Sequence, residues 1–268
     1  MKIAVILIAH GNTELVLDSL DALRTWVSED ILVVVDGTFW NSWGSKTKLP
    51  AYKMAGFPHN TIKAPYRNVA FGLMNAWKLW NNVDWICYTE PDVLFANDGF
   101  KDDLKKADQD GVWCLGSNLR NGYFEFPLLE KILDLKFNGS KYLLGSCMFY
   151  HKDFMKTLFE KHFFEKFLSY TNDLAPSFFP EYEGYDFSEH LYPTLAHHFG
   201  GKVAQLSSWS DFLSDWEAGN FQKYPLRWKP ELEAESYLFN ACIMHPIKRV
   251  DHPFRILNKV KRKNVRIF

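Results

Sequence analysis

The sequence predicts an α/β domain built on a doubly wound, mostly parallel sheet. Continuous apolar runs at Ile3–Ala9 and Ile31–Val35, and the largely apolar stretch Asp84–Thr89, have the character of strands covered on both faces. The stretches between them place apolar residues at helical spacing. Strands and helices therefore alternate over the first 116 residues.

Taken in order, Ile3–Ala9 is the first strand. A helix over residues 13–28 follows, with Leu15, Val16, Leu20, Leu23 and Val27 on one face and Asn12 or Thr13 as its cap. Ile31–Val35 is the second strand and ends at Asp36-Gly37, which closes a β-α-β unit and makes this part of the sheet parallel. Residues 38–58, rich in Gly, Ser, Pro and Trp, read as a loop. A short strand is expected around Thr61–Ala64, before Pro65. A helix then runs from Asn68 to about Leu79, with Val69, Leu73, Ala76, Trp77 and Trp80 on one face. The strand Asp84–Thr89 ends in Glu90-Pro91-Asp92. A charged helix, Lys101–Asp108, leads to the strand Val112–Leu115.

The second half has a different texture. Tyr142–Tyr150 is an apolar stretch containing Gly145 and Ser146. A helix from about Lys152 to Tyr170, a loop punctuated by Pro176 and Pro180, and a helix from about Asp186 to Phe199 follow. Val203–Leu206 is a short strand after the Gly200-Gly201 turn, and Tyr237–Met244 is strand-like. The loop 207–230 carries Trp209, Phe212, Trp216, Phe221, Tyr224 and Trp228. Such rings form either a platform for the apolar faces of a sugar or a satellite core. With no repeat or low-complexity linker, residues 1–247 read as one domain, with halves 1–116 and 117–247. The basic tail 248–268 reads as a solvated, partly frayed end. Its alternative is a patch for anionic lipid or a polyanionic acceptor.

Composition narrows the classes. Hydrophobic residues make up 47% and charged residues 24%, which is ordinary for a folded domain, and the formal net charge of −1 gives no bulk attraction to nucleic acid. Cys87, Cys114, Cys147 and Cys242 sit in apolar runs without metal-ligand spacing, so buried thiols are expected. Ile3–Ala9 lacks the architecture of a signal peptide, and no stretch approaches a membrane span, so a cytoplasmic protein is expected.

In an open parallel sheet, ligands gather at the carboxyl ends of the strands. Three of those ends are polar: Ala9-His10-Gly11-Asn12, Asp36-Gly37 and Glu90-Pro91-Asp92. The first turn has a single glycine, which excludes a dinucleotide fingerprint, and no P-loop run exists. A pyrophosphate held without a glycine cradle needs another source of positive charge. Glu90 and Asp92 are two residues apart, and Pro91 biases Glu90 to extended backbone. Both carboxylates would then face one side and could hold a hard divalent cation.

The order of these features resembles family-2-type glycosyltransferases of the GT-A fold. The resemblance rests on Asp36, on Arg67-Asn68 with Gly72 and Ala76, and on Glu90-Pro91-Asp92. It implies that Asp36 accepts a hydrogen bond from the nucleotide base, often uracil, and that Arg67 contacts the base or the diphosphate. Asn68 and Glu90 would complete the donor pocket; Ala9 and His10 are expected there from their place at the end of the first strand, with a loop cap as the alternative for His10. Asp92 and Glu90 would bind Mn or Mg, with His245 a late ligand. Glu stands at position 90 where the family has Asp, so whether Glu90 touches the metal stays open.

Leu144–Tyr150 resembles the family's small-residue strand near donor sugar and acceptor. The segment Glu183–His190, leading to Gly200-Gly201-Lys202-Val203, resembles its acidic motif, whose acid is the general base of inverting members. Glu189 takes that role, with Asp186 in reserve; alternatively the two simply cap a helix. The implied activity moves a sugar from a nucleotide-diphosphate donor, UDP-linked by resemblance, to a hydroxyl of a glycan or related acceptor. A sugar-phosphate nucleotidyltransferase, a non-catalytic nucleotide- or glycan-binding module, and transfer to modified DNA bases remain alternatives.

Overall fold

A computed structural model describes residues 1–58, 64–122, 130–131, 133–173, 186–208, 242–245 and 247–265. The strands are β1 (Ile3–Ala9), β2 (Ile31–Val35), β3 (Tyr52–Ala55), β4 (Trp85–Thr89), β5 (Leu94–Phe95), β6 (Val112–Asn121), β7 (Lys141–His151), β8 (Lys202–Gln205) and β9 (Ile243–Met244). The helices are α1 (Thr13–Trp26), the single turn α2 (Gly37–Phe39), α3 (Ala64–Leu79), α4 (Phe100–Gln109), α5 (Lys152–Glu160), α6 (Phe163–Asp173), α7 (Asp186–His198) and α8 (Pro253–Val265). Trp40–Gly44 forms a π-helical turn after α2.

Seven strands form one sheet in the order β3-β2-β1-β4-β7-β6-β8. The pairs β3–β2, β2–β1, β1–β4 and β6–β8 are parallel, and β7 runs antiparallel to both β4 and β6. This is a mixed α/β architecture with a mostly parallel sheet flanked by helices, as the sequence predicts. β5 and β9 pair as a separate antiparallel ribbon. The sheet is covered on both faces, and β1, β2 and β4 are buried at every position. Along β1, Ile3, Val5, Leu7 and Ala9 enter one core with Val16, Leu20 and Leu23 of α1. Ala4, Ile6 and Ile8 enter the other with Val69, Leu73 and Ala76 of α3. This is the period-two alternation of strand side chains.

Several elements depart from the sequence reading. β3 lies inside the stretch read as a loop; it is a short edge strand with exposed Tyr52 and Ala55, so it carries no buried-strand signal. The strand expected at Thr61–Ala64 is not supported: residues 61–63 lie outside the described residues, and Ala64 already begins α3. The long helix read over Lys152–Tyr170 is two, broken where His162 takes φ 54°. β6 extends to Asn121, well past Leu115. The aromatic loop lies outside the described residues from Trp209 onward, as do Tyr237–Ala241 and the Glu183–Tyr185 part of the acidic motif.

The basic tail is a correction. It is not a frayed end: α8 packs against α1, and Phe254, Arg255, Asn258 and Arg262 are buried. Arg255 and Arg262 both pair with Asp18 of α1. Ile256 and Val260 stay exposed on the outer side. All four cysteines are free and buried. Among the described residues, no helix is long and apolar enough to cross a membrane.

Candidate active site

The parallel register sets the site. Ala9 pairs with Val35 and Leu7 with Thr89, so β1, β2 and β4 end at one edge of the sheet. His10, Asp36 and Glu90, the next residues along, stand there in a row. At ordinary strand spacing, Asp36 and Glu90 are about 10 Å apart.

Asp36 is buried, and its Oδ1 accepts the Thr38 N–H at 2.8 Å, which starts α2. Its own N–H donates to the Ala9 carbonyl, 2.9 Å away. Ala9 therefore serves through its backbone, and its side chain is in the core. Asn68, expected at the nucleotide, is turned to another use. Its Oδ1 accepts the Phe57 N–H (2.6 Å) and its Nδ2 donates to the Phe57 carbonyl (3.1 Å). The Phe57 carbonyl also receives the Gly37 N–H at 3.2 Å. Asn68 thus fixes the loop after β3 beside Asp36. The Arg67 guanidinium lies 3.7 Å from the centre of the Phe57 ring, so the same loop orients the arginine.

Glu90-Pro91-Asp92 is a turn rather than an extended continuation of β4. The Val93 N–H donates to the Glu90 carbonyl at 3.1 Å, with Pro91 at the second position, where its fixed φ suits a turn. The two carboxylates still sense each other. The Glu90 carboxyl is raised, first by burial and then by Asp92, and Tyr88 donates its hydroxyl to Glu90 Oε1 at 2.7 Å. Asp92 behaves oppositely. Burial pushes it up, but His245, Lys248 and His10 together hold it down at about 2. Asp92 Oδ2 lies 3.6 Å from His245 Nε2 and 3.9 Å from Lys248 Nζ. The β5–β9 ribbon brings this about: Leu94 pairs with Met244, and the Ile247 N–H donates to the Asp92 carbonyl at 2.7 Å.

The reversed strand β7 joins this cluster to the second half. Its Ser146 carbonyl accepts the Glu90 N–H at 3.1 Å, and its neighbouring Gly145 N–H donates to Glu189 Oε1 at 2.7 Å. Glu189 is buried near the start of α7 and reaches across to β7. Tyr142 hydrogen-bonds with Glu189, and the Tyr88 hydroxyl is raised first by burial, then by Glu90, with Tyr150 and Glu189 adding to the rise. Asp186 begins α7, but its side chain lies outside the described residues.

The structure thus sets Glu90, Asp92, His10 and His245 within electrostatic reach of one another, ties Glu189 to them through β7, and leaves Asp36 at the neighbouring strand tip. It adds Tyr88 and Lys248, which sequence reasoning missed: Tyr88 is hidden in an apolar strand, and Lys248 reads as one more basic residue of the tail. A cleft of about 700 Å³ lies elsewhere, at the β6–β8 edge, lined by Arg120, Lys141, His197 and Lys202 among others.

The donor set suits a divalent cation in its chemistry: two carboxylates and an imidazole. Among the described residues, nothing donates a hydrogen bond to the buried Asp92 Oδ1. An ionised, buried oxygen of that kind calls for a cation or a ligand donor. No three His, Cys, Asp or Glu side chains among the described residues are already drawn together as a metal site.

Fold and strand-tip cluster together define a mixed α/β protein whose acids and histidines gather at one edge of a mostly parallel sheet. No family model matches the chain, and no curated protein does. Solved structures do. A glycosyltransferase involved in the glycosylation of the major capsid of PBCV-1 is 10% identical, covering 100% of both chains with a TM-score of 0.46. The glycosyltransferase GlyE of Streptococcus pneumoniae is 11% identical over 97% of this chain and 60% of its own, at 0.49. The 2-C-methyl-D-erythritol 4-phosphate cytidylyltransferase of Thermus thermophilus is 11% identical over 98% and 100%, at 0.43. At these identities and TM-scores the likeness assigns no function to this chain.

Proposed function

We propose that the protein transfers a sugar from a nucleoside-diphosphate donor to an acceptor hydroxyl. The observation that carries this reading is Asp92 just past the end of β4, its buried Oδ1 without a hydrogen-bond donor among the described residues and its Oδ2 3.6 Å from His245 Nε2. Asp92 and His245 would hold Mn or Mg, with Glu90 completing the set. When bound, such a cation neutralises the departing diphosphate. Lys248 adds positive charge on the same side. Asp36 would offer its carboxylate to the edge of the base, uracil in the favoured case, and Arg67 would bear on the base or diphosphate. Glu189 would take the acceptor proton in a direct, inverting displacement, with Asp186 in reserve. Gly145 and Tyr142 fix its orientation.

The test is a thermal-shift screen of nucleotide sugars with and without Mn, followed by product analysis. A ligand that binds the folded state raises its melting temperature. Asp92→Ala should keep the fold and lose the Mn-dependent shift. Glu189→Gln should lower kcat by about 10²–10⁴-fold. Full activity in Glu189→Gln removes it as base. Release of pyrophosphate instead of a nucleoside diphosphate would replace sugar transfer by nucleotidyl transfer. Donor binding without turnover on any acceptor would leave a binding module.

A further inference from the structure

We propose that Arg255 is a positioning residue for the candidate cation site, holding together the two turns that carry Asp92 and His245. The inference rests on the cation reading above. Arg255 belongs to α8 and is fully buried. Its Nε donates to the Ile247 carbonyl at 2.9 Å, two residues beyond His245. One terminal nitrogen donates to the Pro91 carbonyl at 2.7 Å, between Glu90 and Asp92. The other donates to Asp18 Oδ2 at 2.7 Å and to Ser19 Oγ at 3.2 Å. The Ser19 hydroxyl in turn donates to the same Pro91 carbonyl.

A buried guanidinium needs a counter-charge, and Asp18 supplies it. That requirement does not dictate where the remaining donors go. They go to two backbone carbonyls from turns far apart in sequence, and those turns bear the candidate ligands. A planar fork with fixed donor directions can fasten three elements at once, which a lysine ammonium on a flexible stem cannot reproduce. Metal affinity depends on ligands held close to their final geometry, so a slip between these turns should weaken binding while the core stays folded.

The neighbouring Arg262 provides the control. It is equally buried and pairs with Asp18, Asn258 and Asp21, but it touches neither turn. Loss of either arginine disturbs the Asp18 network; only loss of Arg255 frees the turns. The experiment is Mn titration by isothermal calorimetry, alongside thermal melts, on the full chain and on Arg255→Met, Arg255→Lys and Arg262→Met. The wild type should bind Mn. Arg262→Met should melt earlier yet keep its Mn affinity within about twofold. Arg255→Met should lose about ten- to hundredfold in affinity, the range typical of groups that orient metal ligands, and Arg255→Lys should recover part of it. Where Arg255→Met does not fold, Arg255→Lys against Arg262→Lys makes the same comparison. Equal losses at the two arginines, or an unchanged affinity without Arg255, overturn the positioning role. A wild type that binds no Mn overturns the cation reading itself, and is told apart by failing before any variant is compared.

Discussion

Gly145 sits where any side chain would collide with Glu189: a Cβ there would come within 2.6 Å of Glu189 Oε1. The closeness lets the Gly145 N–H reach that oxygen directly. Gly145→Ala should therefore cost about 1–3 kcal/mol through overpacking, read as a lowered urea midpoint, and should reduce kcat more than it changes donor KM. A variant that keeps wild-type turnover would separate Glu189 from the chemistry. Asp92 and Glu90 show how position divides two similar acids. Burial raises both, but His245, Lys248 and His10 bring Asp92 down to about 2, while the Asp92 charge adds to the rise of Glu90. One is ready to be an anion, and the other is held by the Tyr88 hydroxyl.

At the level of elements, α8 begins on a titratable fastening. The Phe254 N–H donates to His252 Nδ1 at 3.2 Å, which requires that nitrogen to be unprotonated. Burial, then Arg255 and Arg249, lower His252 to about 4, and burial followed by Arg120 does the same for His190. Below about pH 6.5 the unfolded chain takes up a proton at each histidine, whereas the folded chain does not until about pH 4. Stability should fall as pH drops through that window, by up to about 1.4 kcal/mol per pH unit for each group. Melts from pH 7 to 4 test this, and His252→Asn, which keeps a capping acceptor without a titrating ring, should flatten part of the slope. The same helix shows where sequence reading ran out. A run of basic residues reads as a solvated end, because nothing in the sequence shows that Arg255, Asn258 and Arg262 find buried partners while Val260 faces out. β1, β2 and β4 were legible because covered strands need unbroken apolar runs. β3 was not, because a short edge strand makes no such demand. The acids at the strand tips could be named from their positions after those runs. Tyr88, Asp18 and Arg255 could not, since their roles depend on partners distant in sequence.

Over the whole molecule, the first helix and α8 are bound to each other beneath the candidate site. Deleting residues 253–268 would strand Asp18, which is buried, without its two arginines. Breaking a buried pair in this way costs about 3–5 kcal/mol, so the melting temperature should fall by about 10 °C or more, with Mn binding lost in any fraction that stays folded. A truncated chain melting like the intact one would mean that α8 is an accessory. The pairing also has a temporal side. Asp18 and Arg255 are separated by 237 positions. At a synthesis rate of about 5–20 residues per second, the arginine emerges roughly 10–50 s after its partner. A nascent chain therefore exposes a growing sheet with a loose, charge-laden rim for most of its translation. The contacts from Arg255 to the Pro91 and Ile247 carbonyls form only when the closing helix docks, so on the proposed reading a ribosome-bound chain would hold Mn poorly.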